Sequence, residues 1–162
     1  MVPIIIFDLG GVLVRLNWDS ACYPLTHLSS RSYDFVMAEI ANGPIVESSM
    51  LGHLTAHEFH RAICDKLQID IEYGPFIEIW NRILNPDDEM AEYVAGLAEN
   101  HTLILASNTD GIHFPYCMEN FPVLKSFDRH FLSNQMGLLK PDPAYFHHVL
   151  YEPVSYTHLR AH

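Results

Sequence analysis

The hydrophobic pattern changes period along the chain, and each change marks an element. Residues 3 to 8, PIIIFD, are a continuous apolar run ending in a carboxylate and followed by Gly10 and Gly11. Such a run predicts a parallel strand buried on both faces, with Asp8 at its carboxyl end. Thr102 to Ala106, TLILA, repeats the pattern and ends on Ser107, Asn108 and Thr109, and HFLS at 130 to 133 is a third, shorter run. Between them the period lengthens to that of a helix. NPDDEMAEYVAGLAEN predicts a helix with Asn85 as N-cap, Pro86 at the first position, acids in the first turn, and Met90, Tyr93, Val94 and Leu97 on one face. PDPAYFHHVL predicts another, capped by Asp142 with Pro143 at the first position. Helices alternating with buried strands predict an α/β fold with a doubly wound, Rossmann-like parallel sheet.

Residues 17 to 84 break that alternation. They read as helical throughout, too long for a simple crossover, and predict an inserted helical cap. In LTAHEFHRAICDKL, Thr55 and Glu58 form a capping box, Leu54 and Phe59 a hydrophobic staple, and Phe59, Ile63 and Leu67 a buried stripe. Phe76, Ile79, Trp80, Ile83 and Leu84 repeat the logic. The domain reading is therefore a core of residues 1–16 and 85–153 around a cap of residues 17–84.

Composition narrows the function classes. With 162 residues, 49% of them hydrophobic, the chain can bury a real core. No apolar run approaches the roughly 20 residues of a membrane helix, so no membrane partner is expected. MVPIIIFDLG lacks a basic n-region and a cleavage site, which predicts a cytoplasmic protein. Cys22, Cys64 and Cys117 form no CxxC pair and are expected to be free thiols. A net charge of −11 opposes nucleic-acid binding but leaves room for a small anion held by a few local donors. The oligomeric state is not legible.

In an open parallel sheet, ligands gather beyond the carboxyl ends of the strands, where the pattern delivers Asp8 and Ser107. A carboxylate there can attack phosphorus. The anionic group in transfer needs cations and donors around it, types supplied by Lys140 in GLLKPDP and by the Ser107 hydroxyl. Each residue alone has a plainer reading, as a strand-ending or loop residue; the weight lies on their joint order. The histidines are weaker candidates for a metal. His53, His57 and His60 lack the HExxH spacing and are expected on the flank of a core helix, and His147 and His148 are expected to point apart.

FDLGGVLV, ILASNTD and GLLKPDPAYF, in this order over about residues 3 to 150, resemble motifs I, II and III of the haloacid dehalogenase (HAD) superfamily. FDLGGV with SNTD is most similar to its subfamily IA, in the group of bacterial α-D-glucose-1-phosphate phosphatase and the epoxide-hydrolase-type phosphatase domains. The resemblance implies a Mg2+-dependent hydrolase that acts on a small phosphorylated metabolite, such as a sugar phosphate, through an aspartyl-phosphate. It makes Asp8 the nucleophile and a metal ligand, and the Gly10 carbonyl the second protein ligand. Ser107 and Asn108 then hold the phosphoryl group, and Lys140 neutralises nucleophile and phosphate.

Two departures follow. Gly10 stands where most phosphatases of the superfamily carry a general acid–base aspartate, a contribution worth about 10²–10⁴-fold, although the resembling group shares the glycine. The acidic fourth motif that completes the magnesium site is not in the sequence, so weak metal binding and weak or absent activity are expected. Residues 154–162, VSYTHLRAH, resemble a translated sequencing adapter and are expected to be a non-native tail. Two other function classes fit the same residues. One is a metal-free 2-haloacid dehalogenase using Asp8 on carbon, with Arg15 or Arg31 as the cap arginine that chemistry needs. The other is a non-catalytic binding protein or inert fragment.

Overall fold

The computed structural model describes residues 2–154, so most of the expected tail lies outside the described residues. Three strands run parallel in the order β1 (Ile4–Phe7), β4 (Thr102–Ser107), β5 (Arg129–Leu132), with Ile6 level with Ile104 and Ala106 level with Phe131. Central β4 is buried on both faces, as its apolar run requires. The matching expectation for β1 is corrected: Ile4 and Ile6 are 42% and 41% exposed. Side chains alternate faces along a strand. Ile5 and Phe7 pack into the cluster of Leu103, Leu105 and Val94. Ile4 and Ile6 share the other face with Ile104, where the last helix, Pro143–Val154, seats Tyr145 and Val149 over Ile104 and Phe131 and leaves the two isoleucines uncovered.

A second correction concerns the helix after the cap. Asn85 and Pro86 do not open it. They belong to β3 (Leu84–Pro86), which pairs antiparallel with β2 (Val14–Leu16). Helix α6 (Asp88–Ala98) starts later, with Asp87 as N-cap accepting the Met90 N–H at 3.2 Å while its other oxygen takes Arg15 Nε at 2.7 Å. Asp and Asn cap about equally well, so the pairing with β2 decides between them. Within the helix Tyr93 does not join the buried face: it is 61% exposed beside a buried Val94. Strand β5 begins one residue earlier than expected, and Ser133 opens a short helix, α8 (Ser133–Met136). Helix α9 (Pro143–Val154) starts as read, with Asp142 accepting the Ala144 N–H at 2.8 Å.

The stretch from 17 to 84 holds five helices, α1 (Asp19–Leu28), α2 (Tyr33–Asn42), α3 (Pro44–Met50), α4 (Ala56–Leu67) and α5 (Tyr73–Asn81). They share one buried cluster around Leu25, Ile40, Phe59, Ile63, Phe76 and Trp80. The capping box of α4 is formed on both sides: Glu58 N–H donates to Thr55 Oγ1, and Thr55 N–H donates to Glu58 Oε2 at 2.8 Å. Thr55→Ala is expected to destabilise the protein by about 1 kcal/mol and Thr55→Ser by much less, as read from the midpoint of urea unfolding. No helix among the described residues is long and apolar enough to cross a membrane.

Candidate active site

Asp8 follows directly on β1, and the turn after it is built to hold it there. Leu9 N–H donates to Asp8 Oδ1 at 2.7 Å, and the Leu9 carbonyl accepts from Leu13 and Val14 at 2.9 and 3.0 Å. Gly11 makes the turn at φ +75°, a left-handed conformation that glycine adopts without steric cost. At Gly10 an added Cβ would lie 3.3 Å from Leu16 Cδ1, a tight contact from which the Leu16 side chain would have to give by a few tenths of an ångström.

Lys140 arrives from the loop before α9. Its Nζ lies 2.7 Å from Asp8 Oδ2 and donates to the Ala106 carbonyl at 2.9 Å. Asn108 sets the lysine: its Oδ1 accepts Lys140 N–H at 2.8 Å, and its Nδ2 donates to the Lys140 carbonyl at 2.9 Å. The Asn108 amide is thus committed to positioning Lys140. Ser107, almost fully buried, donates through Oγ to the Asn108 carbonyl at 3.2 Å. All five residues read from the sequence, Asp8, Gly10, Ser107, Asn108 and Lys140, lie at or just beyond the ends of β1 and β4 or on the loop that meets them.

Several supporting residues carried no sequence signal. Ser133 Oγ accepts the Thr109 N–H at 2.9 Å and donates to the Thr109 carbonyl at 3.1 Å, clamping the loop after β4 to the end of β5. Tyr145 donates to the Phe131 carbonyl at 2.8 Å. Burial, then the charge of Asp8, pushes its hydroxyl well above the usual range, so it stays a neutral donor. Asp110, quoted in ILASNTD without a role, is buried and caps the start of α7 (His113–Asn120), accepting the N–H groups of Ile112 and His113 at 2.8 and 2.7 Å. Its other oxygen faces His113 Nδ1 at 3.4 Å and Trp80 Nε1 at 3.5 Å. His113 Nε2 lies 3.1 Å from the Trp80 carbonyl, and its ring stacks on Trp80 at 5.1 Å. Helix α5 is thereby tied to the loop that follows Ser107.

A cavity of about 160 Å3 opens beside the turn, with Gly10, Ser107 and Asn108 on the sheet side and Trp18, Met50 and Trp80 on the helical side. Six of the other candidates are engaged elsewhere. His57 stacks on Tyr73 at 3.9 Å, His60 Nε2 meets the Ile71 carbonyl at 2.9 Å, and His147 and His148 contact Tyr151 and Phe131 respectively. Arg15 pairs with Asp87, and Arg31 lies over the Phe35 ring. Burial raises all three cysteine thiols, Cys117 to about 12, which keeps them protonated and poor nucleophiles.

No family model matches the chain. It is 27% identical over 153 residues to a D-ribitol-5-phosphate phosphatase of Bacteroides thetaiotaomicron, covering 90% of this chain and 74% of that protein. A HAD family enzyme of the same bacterium superposes in its magnesium complex with a TM-score of 0.81, at 25% identity over 95% of this chain and 78% of the other. In complex with magnesium and inorganic phosphate the TM-score is 0.84, at 23% identity over 95% and 80%. An L-2-haloacid dehalogenase of Xanthobacter autotrophicus shares the fold, with a TM-score of 0.63 at 16% identity over 97% and 66%. The three ordered motifs, the parallel sheet that gathers them around Asp8 and these likenesses make the chain similar, in fold and in motif order, to haloacid dehalogenase-family hydrolases.

Proposed function

We propose that the chain hydrolyses the phosphomonoester of a small metabolite, a sugar or polyol phosphate, with Asp8 as nucleophile and with Mg2+ as cofactor. The observation that carries this reading is the half-exposed Asp8 carboxylate at the end of β1, with Lys140 Nζ 2.7 Å from one oxygen and the Leu9 N–H on the other. These contacts fix the plane of the carboxylate. An Asp8 oxygen attacks phosphorus, the bond from phosphorus to the ester oxygen breaks, and that oxygen leaves with the electron pair and takes up a proton. Water then attacks the aspartyl-phosphate, which releases inorganic phosphate and restores Asp8. Lys140 lies beside the nucleophile throughout and offsets the charge of the transferring group. Gly10 has no proton to give, so the leaving oxygen draws its proton from elsewhere.

The donors at the strand ends suit magnesium. The Asp8 carboxylate and the Gly10 carbonyl are hard oxygen ligands, the kind Mg2+ takes together with water and substrate oxygens. When bound, the ion would screen the repulsion between carboxylate and phosphate. Among the described residues no group of three or more His, Cys, Asp or Glu side chains is placed to hold a metal, so binding is expected to be weak and saturation to need high Mg2+. The likeness to a D-ribitol-5-phosphate phosphatase and to an enzyme seen with magnesium and phosphate supports both substrate class and cofactor.

Phosphate release from a panel of sugar and polyol phosphates, with and without EDTA, tests the reading. Release is expected to fall to background on chelation and return with Mg2+. A folded chain that releases no phosphate from any member overturns it. Chloride release from a haloacid without metal is the result a dehalogenase requires, and the engagement of Arg15 and Arg31 in surface contacts argues against it.

A further inference from the structure

Beside the turn that follows Asp8 lies a cavity for the leaving group of an ester attacked there, between the loop after β4 and the helices of residues 17–84, with Leu9 and Gly10 on its wall. The helical side lines it with Trp18, Ala41, Val46, Met50, Trp80 and Ile83, none of them charged. On the sheet side the charged group is the buried Asp110 carboxylate, with His113 beside it. Both nitrogens of His113 are already engaged, one toward Asp110 and one toward the Trp80 carbonyl. Lys140 is held on Asp8 and the Ala106 carbonyl, and among the described residues no lysine or arginine borders the cavity.

We infer that this pocket selects monophosphate esters whose small leaving group carries no charge, and rejects those bearing a carboxylate or a second phosphate. The inference deepens the hydrolase reading and rests on it. A second anionic group entering here loses its water against the apolar helical wall and comes near the Asp110 carboxylate with no lysine or arginine among the described lining residues to pair it. Desolvating an unpaired charge and placing like charges together both oppose binding. A hydroxylated, uncharged carbon chain incurs neither penalty.

The two tryptophans of the chain, Trp18 and Trp80, both border the cavity, so intrinsic fluorescence reports binding independently of turnover. The test titrates the Asp8→Asn protein, in Mg2+, with matched pairs: glycerol phosphate against phosphoglycerate, and erythritol phosphate against phosphoerythronate. The neutral ester of each pair is expected to bind at least about tenfold more tightly. Met50 is only half-buried and can accept a longer side chain, so Met50→Arg in the same background is expected to narrow or reverse the gap by supplying the missing cation. Equal or tighter binding of the acids, binding of neither ester, or an unchanged gap in folded Met50→Arg overturns the inference. The expected preference in the Asp8→Asn protein, with no phosphate release by the unmodified chain, leaves the selectivity standing and removes the hydrolase reading, so the two failures are distinguishable.

Discussion

Asp8→Asn is expected to abolish phosphate release, with a loss of about 10⁴-fold or more, while leaving the fold intact. The substitution is isosteric, and the amide oxygen can still accept the Leu9 N–H that orients the side chain. The amide lacks the negative charge and basicity that let the carboxylate form a bond to phosphorus. Stability should change little. Asp8 is 43% exposed at its side chain, so its pair with Lys140 is screened by solvent, and the lysine keeps its bond to the Ala106 carbonyl. Acid quenching during turnover should leave a phosphoryl group on the peptide containing Asp8 in the native chain and none in the variant. Turnover retained by Asp8→Asn would remove the nucleophile assignment. A phosphoryl group found on another residue would do the same.

The parts of this site that were legible in the sequence are those where chemistry and local pattern coincide. Asp8 and Ser107 each end an apolar run, and such runs in an α/β chain become parallel strands whose carboxyl ends meet. Lys140 was legible because a lysine beside a proline in GLLKPDP stands out from a loop. What the pattern could not supply was anything set by a partner distant in the chain. The Asn85 and Pro86 pair looks like a helix start until β2 claims it as a strand, and nothing near residue 85 announces residues 14 to 16. The burial of β1 depends on what covers each face of the sheet, and α9 lies over Ile104 without reaching Ile4 or Ile6. The resemblance of ILASNTD to motif II made Asn108, with Ser107, a holder of the phosphoryl group, and the sequence says nothing of a second task for its side chain. Only the approach of Lys140, 32 residues away, shows its amide committed to the lysine backbone.

Asp110 and His113 sit in the same category, and Trp80 joins them to the helical side. Trp80→Ala is expected to destabilise the protein by about 3–5 kcal/mol, the usual range for emptying a large aromatic from a core. Its side chain is almost fully buried against Phe59 at 4.9 Å and stacks on Phe76 at 6.0 Å and on His113 at 5.1 Å. Emptying it leaves a cavity that the rings cannot close and strips Asp110 of the indole N–H. Trp80→Phe separates the two effects. It keeps most of the apolar contact and loses only a hydrogen bond of 3.5 Å, long enough to be weak, so its cost should be a small fraction of the alanine cost. Far-UV circular dichroism during urea unfolding measures both without relying on the removed fluorophore. An alanine cost below about 1 kcal/mol would show that α5 is not seated against the sheet side as described. Equal costs for Phe and Ala would instead assign the stability to the Asp110 hydrogen bond, making the buried carboxylate, rather than the aromatic stack, the group that joins the helices of residues 17–84 to the loop after β4.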